Sequence, residues 1–328
     1  MEASWEYVVA LDFWTFQDCG DKEVGRKFLD ILQRFGFNPR KFGDEDPPRH
    51  NFEVRSSEDL LKLWAERPGQ LIIERLGRMG FQALVHLSNP MPILITFAVH
   101  DEYFQREENL GRFLEFSEEL YGLTKPFYGE VSHKKDWDDK TVVITPVKIG
   151  DRTVKAETHL SPQPTKGIPG IFWANFFGPT FVDFYSKAKL ENAPGYSKKE
   201  LPDGGLLILT SKSPLDYPRP ETKKVERDLL EHLGKDTVLD KTAPDRTIRS
   251  PYQNHDKKID PLIAKHSALG SSMSSNLWSC PECGEQNRIA EVSRDRVNSL
   301  VSFRCLNCEA RWTVHTALLT TSSKRFQK

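Results

Sequence analysis

The sequence predicts an α+β fold, a mainly antiparallel sheet with helices packed on one face, followed by a hinge and a small C-terminal module. Three observations carry this reading. Strand-like runs follow one another through short turns, as antiparallel neighbours do. The 328 residues exceed one small domain and suggest about two. Four of the five cysteines fall in the last fifth of the chain.

A hydrophobic share of 38% against 28% charged residues is that of a globular chain able to build a core. No run approaches the roughly 18–20 consecutive apolar residues of a transmembrane helix, so no membrane span is expected. The opening Met1-Glu2-Ala3-Ser4-Trp5-Glu6 is acidic and lacks the apolar stretch of a secretory signal, and a cytoplasmic chain is expected. With 46 Lys and Arg against 47 Asp and Glu, no overall field draws it to nucleic acid or acidic lipid.

Residues 1–240 read as one domain. Trp5–Phe13 has the β-branched and aromatic content of a strand. Val24, Phe28, Ile31, Leu32 and Phe35 recur at helical spacing, with Gly36 and Pro39 as stops. Ser56-Ser57-Glu58-Asp59 opens a short helix carrying Leu60, Leu61 and Trp64, halted by Pro68-Gly69. Leu71–Glu74, Phe81–Leu87 and Pro92–Val99 follow as strands, the last two joined through Ser88-Asn89-Pro90. Leu110, Phe113, Leu114, Leu120 and Tyr121 mark the next helix. Thr141–Lys148 and Arg152–Thr158 form a hairpin about Gly150-Asp151. Pro179 suits the first turn of a helix through Phe181, Val182 and Tyr185. Leu201–Thr210 is a turn feeding a strand, and a helix with Val225, Leu229 and Leu233 closes the domain.

Residues 241–276 read as a flexible linker, rich in Pro and Ser and without an apolar period to offset its ordering entropy. Residues 277–328 form the last module. Cys280-Pro281-Glu282-Cys283 and Cys305-Leu306-Asn307-Cys308 are two C-x2-C pairs, each suited to a tight turn that aims two sulfurs at one point. Asn287–Val292, Val301–Arg304 and Arg311–Val314 read as strands between and after them. The arrangement resembles a zinc ribbon. It implies one structural Zn²⁺ held by Cys280, Cys283, Cys305 and Cys308, because four thiolates close the coordination sphere. Disulfides are the alternative, disfavoured in a reducing compartment. Cys19 reads as a small buried hydrophobe.

Charge is divided along the chain. Residues 241–328 hold 14 Lys and Arg against 8 Asp and Glu, net +6, and residues 1–240 hold 32 against 39, net −7. The tail is therefore a candidate for nucleic-acid contact, although its basic residues form no dense run.

Gly167–Pro179 is the most unusual stretch, with Phe172, Trp173, Phe176 and Phe177 set between glycines and prolines. It is either a rigid aromatic platform for a partner or a buried connection. The partner-binding reading assigns the interface to Trp173, Asn175, Phe176 and Phe177. Leu120–Glu130, Gly167–Tyr185 and Asp203-Gly204-Gly205-Leu206-Leu207, in that order, resemble the bacterial immunity-type α+β domains that accompany polymorphic toxins. The resemblance covers about residues 5–235. It implies a protein that neutralises a toxin by binding it, and the acidic balance of residues 1–240 suits a basic partner such as a nuclease toxin.

Catalytic candidates are few. His100 is followed by Asp101 and Glu102, but neighbours on a strand face opposite ways, so they converge only if the strand has ended. His133, Asp136, Asp138 and Asp139 read as a solvated loop without calcium-loop spacing. His159 stands alone. No phosphate loop, dinucleotide turn, nucleophile elbow or H-E-x-x-H is present. The sequence thus favours a protein-binding factor whose partner is a toxin or a defence-complex subunit. A nucleic-acid-associated component of a phage-defence system stands second, and an enzyme with a site near His100 third.

Overall fold

The computed structural model describes residues 8–52, 57–67, 69–77, 80–87, 92–149, 152–159, 164–243, 248–252, 289–295, 300–305 and 311–315. The chain divides into two compact units, Met1–Asp256 and Lys257–Lys328.

In the first unit the sheet is built outward from β1 (Val8–Thr15), whose alternation of large residues serves two faces at once. β6 (Ile93–His100) and β7 (Tyr128–His133) flank it, both antiparallel. Beyond β6 come β5 (Phe81–Val85), β4 (Leu71–Arg75), β2 (Lys41–Gly43) and β3 (His50–Asn51). Beyond β7 come β10 (Ala174–Phe177), β12 (Leu206–Leu209) and β11 (Ser197–Glu200). Every neighbouring pair in this ten-stranded sheet is antiparallel, so the α+β class stands.

Helices pack on both faces, not on one as the sequence suggested. Val9, Leu11 and Phe13 of β1 belong to a core under α1 (Lys22–Arg34), α2 (Ser57–Ala65) and α3 (Glu107–Thr124). Trp14 of the same strand belongs to a second core with α5 (Pro179–Tyr185), α6 (Lys187–Glu191) and α7 (Pro220–Leu233). The alternation in β10 and β12 repeats the division: Phe176, Leu207 and Leu209 join the first core, Phe177, Leu206 and Ile208 the second. A strand buried on both faces has no polar side to give it away, which is why periodicity alone misplaced the helices. Gly129 of β7 is required here, since a Cβ at that position would come 2.2 Å from the Phe13 ring.

The aromatic stretch is core rather than platform. Trp173 is 2% exposed, and Asn175, Phe176 and Phe177 are 0% exposed. Trp173 donates its indole N–H to the Ser211 carbonyl at 3.0 Å. Phe176 meets Phe13 edge-on at 5.1 Å and stacks with Tyr121 at 5.9 Å. Asn175 turns its amide back onto Phe172, accepting from its N–H at 3.1 Å and donating to its carbonyl at 2.8 Å. The interface assigned to these four residues is corrected accordingly: pairing with β7 and β12 leaves them no surface. The three segments behind the family resemblance meet in this same place. β7, β10 and β12 are adjacent, and the Tyr121 hydroxyl donates to the Asp203 carboxylate at 3.0 Å.

The first unit also runs past Asp240, into the predicted linker. Tyr252 is buried against Phe16, Phe127 and Phe181, with ring centroids 5.3, 4.9 and 6.1 Å apart. Ser250 donates to the Thr165 carbonyl at 2.6 Å. An anchor with no helical or strand period gives no sequence signal.

Two strands stand apart. β8 (Val142–Ile149) and β9 (Arg152–His159) pair only with each other among the described residues. In the second unit, β13 (Ile289–Asp295), β14 (Leu300–Cys305) and β15 (Arg311–His315) form an antiparallel three-stranded sheet near the predicted strand positions. No helix among the described residues is long and apolar enough to cross a membrane.

Truncating Phe176 to Ala removes a ring held between Phe13 and Tyr121 and leaves a cavity. Chemical denaturation of that variant is expected to show a loss of about 3–5 kcal/mol. A near-wild-type midpoint would contradict the core assignment.

Candidate functional site

The second face of the sheet carries a row of polar residues where apolar ones would be expected. Register aligns Thr96, Asp12, Glu130 and Asn175 across β6, β1, β7 and β10. Asp12 accepts from the Thr96 hydroxyl at 2.5 Å. The residue as a whole keeps some exposure, yet burial of its carboxyl pushes the pKa up to about 6, against the opposing Thr96 hydrogen bond. Glu130 is fully buried, and burial together with the Asp12 charge holds its pKa well above the usual carboxylate range. The Tyr128 hydroxyl reaches its Oε2 at 3.5 Å, while Oε1 has no hydrogen-bond partner among the described residues.

Beside this pair sits a closed square of charges joining α7 to α4 (Lys134–Thr141). Lys140 Nζ lies 2.8 Å from Asp136 and 2.9 Å from Glu226. Lys223 Nζ lies 2.5 Å from Asp136 and 3.3 Å from Glu226. Both carboxylates are nearly inaccessible, at 1% and 6% side-chain exposure. Lys140 places its third N–H on the Ile171 carbonyl at 2.5 Å and stands 4.7 Å over the Phe172 ring. All three ammonium hydrogens are therefore used. Four carboxyls and two ammoniums share the region, and it is neutral when two of the carboxyls are protonated, as the raised pKa values of Asp12 and Glu130 favour.

At one end of this cluster, His133 closes β7 and caps α4, accepting from the Lys135 N–H at 3.1 Å. Its ring stacks on Tyr217 at 4.6 Å, and Nε2 is 3.7 Å from Asp101. Burial lowers its pKa, with Asp101 opposing. β6 does end at His100, and Asp101 opens a 3₁₀ turn, so the two side chains do converge, at 3.2 Å. His100 Nδ1 also accepts from the Glu102 N–H at 3.3 Å. The structure thus brings His100, Asp101 and His133 together, a link that sequence separation concealed.

In the segment Ser132–Lys140 the first two residues end β7 and the rest is helix rather than solvated loop. Asp136 faces the interior and Asp138 pairs with Lys134, while the Asp139 carbonyl accepts from Lys241. His159 stands across from Val142 at the base of the β8–β9 hairpin. Asp12, Glu130, Lys140, Lys223 and Glu226 were missed from sequence. The available signal was a carboxylate in the middle of each of two apolar strands, Val8–Thr15 and Tyr128–His133.

Among the described residues no group of three or more His, Cys, Asp or Glu is arranged to hold a metal ion. Cys280, Cys283 and Cys308 lie outside the described residues, and Cys305 closes β14. The meander pairs Ile289 with Cys305 and Arg304 with Arg311. The chain therefore enters β13, leaves β14 and enters β15 at one end of the sheet. Cys305 lies at that end.

No family model matches the chain, and no curated protein matches it. Among solved structures it is similar to the Pseudomonas aeruginosa T6SS protein PA0821, with 11% identity and a TM-score of 0.42, over 73% of this chain and 86% of that one. No functional statement rests on that likeness.

Asp12 and Glu130 both hold protons more tightly in the folded chain than in the unfolded one. Their stabilisation is complete below about pH 4 and is lost as pH rises through their raised pKa values, about 6 for Asp12. Glu130→Gln keeps the shape without the ionisation. Its melting temperature is expected to fall less than that of the wild type as pH rises above the ordinary carboxylate range, and parallel curves would exclude Glu130 as the titrating group.

Proposed function

We propose that the first unit is a protein-binding factor of the bacterial immunity or defence class, not an enzyme, and that its docking element is the β8–β9 hairpin. One observation carries the reading: eight paired positions stand outside the main sheet, and the buried charge square holds α4, which leads into the first strand of that hairpin. Lys140 lies on α4, which runs directly into β8, and it donates to Ile171 on the returning chain. An isolated two-stranded hairpin is marginal in water, so further contacts are expected to complete it. Ile144 of β8 is 56% exposed, an apolar side chain open to a partner. The immunity-type motif order supports the bacterial class, and the net −7 of residues 1–240 suits a basic partner such as a nuclease toxin.

We infer in addition that the second unit is a zinc ribbon in which Cys280, Cys283, Cys305 and Cys308 hold one structural Zn²⁺. Support comes from the two C-x2-C spacings in the sequence and from a three-stranded antiparallel sheet whose second strand ends at Cys305. Zinc there would supply folding energy to a module too small to rely on its own core.

Two experiments test these readings. Full-length protein is captured from its native host with and without nuclease, beside a variant in which residues 144–157 are replaced by an Asn-Gly turn. A stoichiometric protein that survives nuclease and moderate salt, and is lost from the shortened variant at unchanged melting temperature, is the expected result. A partner kept by the shortened variant removes the hairpin from the interface. Nucleic acid alone, released by salt, moves the function to the basic residues 241–328.

For the metal, Cys283→Ser in the full chain is expected to lower bound zinc from one equivalent to near zero. It should abolish the second unit's transition and leave the first unit's melt unchanged. A second unit that melts cooperatively without metal would refute the ribbon.

A further inference from the structure

The hairpin has two outer edges, and its register shows that they are chemically unlike. Ile149 pairs with Arg152, so Gly150 and Asp151 alone connect the strands. A two-residue connection makes its flanking residues a hydrogen-bonded pair, and the ladder alternates from there. Pro146, paired with Lys155, then falls at a position whose backbone groups turn outward. This is where proline is tolerated in a strand, because its missing N–H is not needed by the neighbour. The same count turns the backbone of Thr153, Lys155, Glu157 and His159 outward along β9, where no proline interrupts it. The β8 edge lacks a donor at its centre, whereas the β9 edge is complete. Among the described residues neither edge meets a third strand.

We propose that the β9 edge pairs antiparallel with β9 of a second copy of this chain, joining two hairpins into one four-stranded sheet. Charge selects the copy and the register. A two-fold axis at Ala156 sets Lys155 opposite Glu157 of the second copy, and repeats that pair across the axis. Thr153 then meets His159 of the second copy, with outward-facing backbone opposed to outward-facing backbone throughout. Moving the axis to Lys155 opposes two lysines, and moving it to Glu157 opposes two glutamates; both are unfavourable. The paired edges also supply the extra strands that a lone hairpin lacks. The proposal rests on the same hairpin as the docking reading and gives that reading its first occupant. The four-stranded sheet, rather than one hairpin, becomes the surface offered to any other protein.

Sedimentation equilibrium of the full-length, zinc-loaded chain over the micromolar range tests it. Wild type is expected to fit a monomer–dimer equilibrium. Lys155→Glu and Glu157→Lys each oppose like charges twice, and are expected to weaken the dimer about tenfold or more. The double exchange Lys155→Glu/Glu157→Lys restores the attraction in reverse and should recover wild-type association, which a folding defect would not do. Lys155→Pro removes an outward donor from β9 and should give monomer, whereas Lys148→Pro on the β8 edge should leave the dimer intact.

A wild type that remains monomeric, or single exchanges that associate like the wild type, would overturn the proposal. So would a double exchange that fails to recover. The docking reading fails separately: a monomeric wild type whose captured partner still depends on the hairpin sinks only the dimer, and a dimer whose captured partner ignores the hairpin sinks only the docking.

Discussion

Charge balance around buried carboxyls is the constraint on which the first unit depends. Asp136 and Glu226 pair with the ammonium groups of Lys140 and Lys223, and the buried carboxyls of Glu130 and Asp12 lie beside them. Ion pairs of this kind add little stability over an apolar core, but removing one member strands the others at a large cost. Their value lies in geometry. Apolar surfaces slide past one another, whereas a lysine with three occupied hydrogens allows one position of α4 on α7 and one path for the chain at Ile171.

That fixed position links core to surface. β1 and its neighbours carry a first core under α1, α2 and α3, which is ordinary hydrophobic packing of rings. The opposite face combines a second aromatic core with the charged cluster, and the β8–β9 hairpin springs from its margin. Residues 120–130, 167–185 and 203–207 meet in this central region and build it. Tyr121 holds Asp203, and Phe176 and Phe177 divide between the two cores.

Much of the fold was legible in the sequence because its strands and helices have clear periods and stops. Phe28, Ile31 and Leu32 mark the buried face of α1, Pro179 starts α5, and Gly150-Asp151 separates two strands that do pair. Two things were not legible. Phe172–Phe177 has a composition that suits a core strand and an aromatic platform equally, and only pairing with β7 and β12 decides between them. The charged cluster draws on residues 12, 130, 136, 140, 223 and 226, whose association depends on strand order rather than on local spacing. His100 and Asp101 show the converse: they converge because a strand stops between them, a boundary that periodicity fixes poorly.

Pro146 has a consequence for how many molecules can gather. A strand pair with both margins open is a template that each newcomer copies and exposes again, which is the geometry of a growing fibre. One imino acid in β8 makes the element single-sided. If two copies pair through β9 as proposed, the margins left over lack a central donor, so assembly by this route would close after one event.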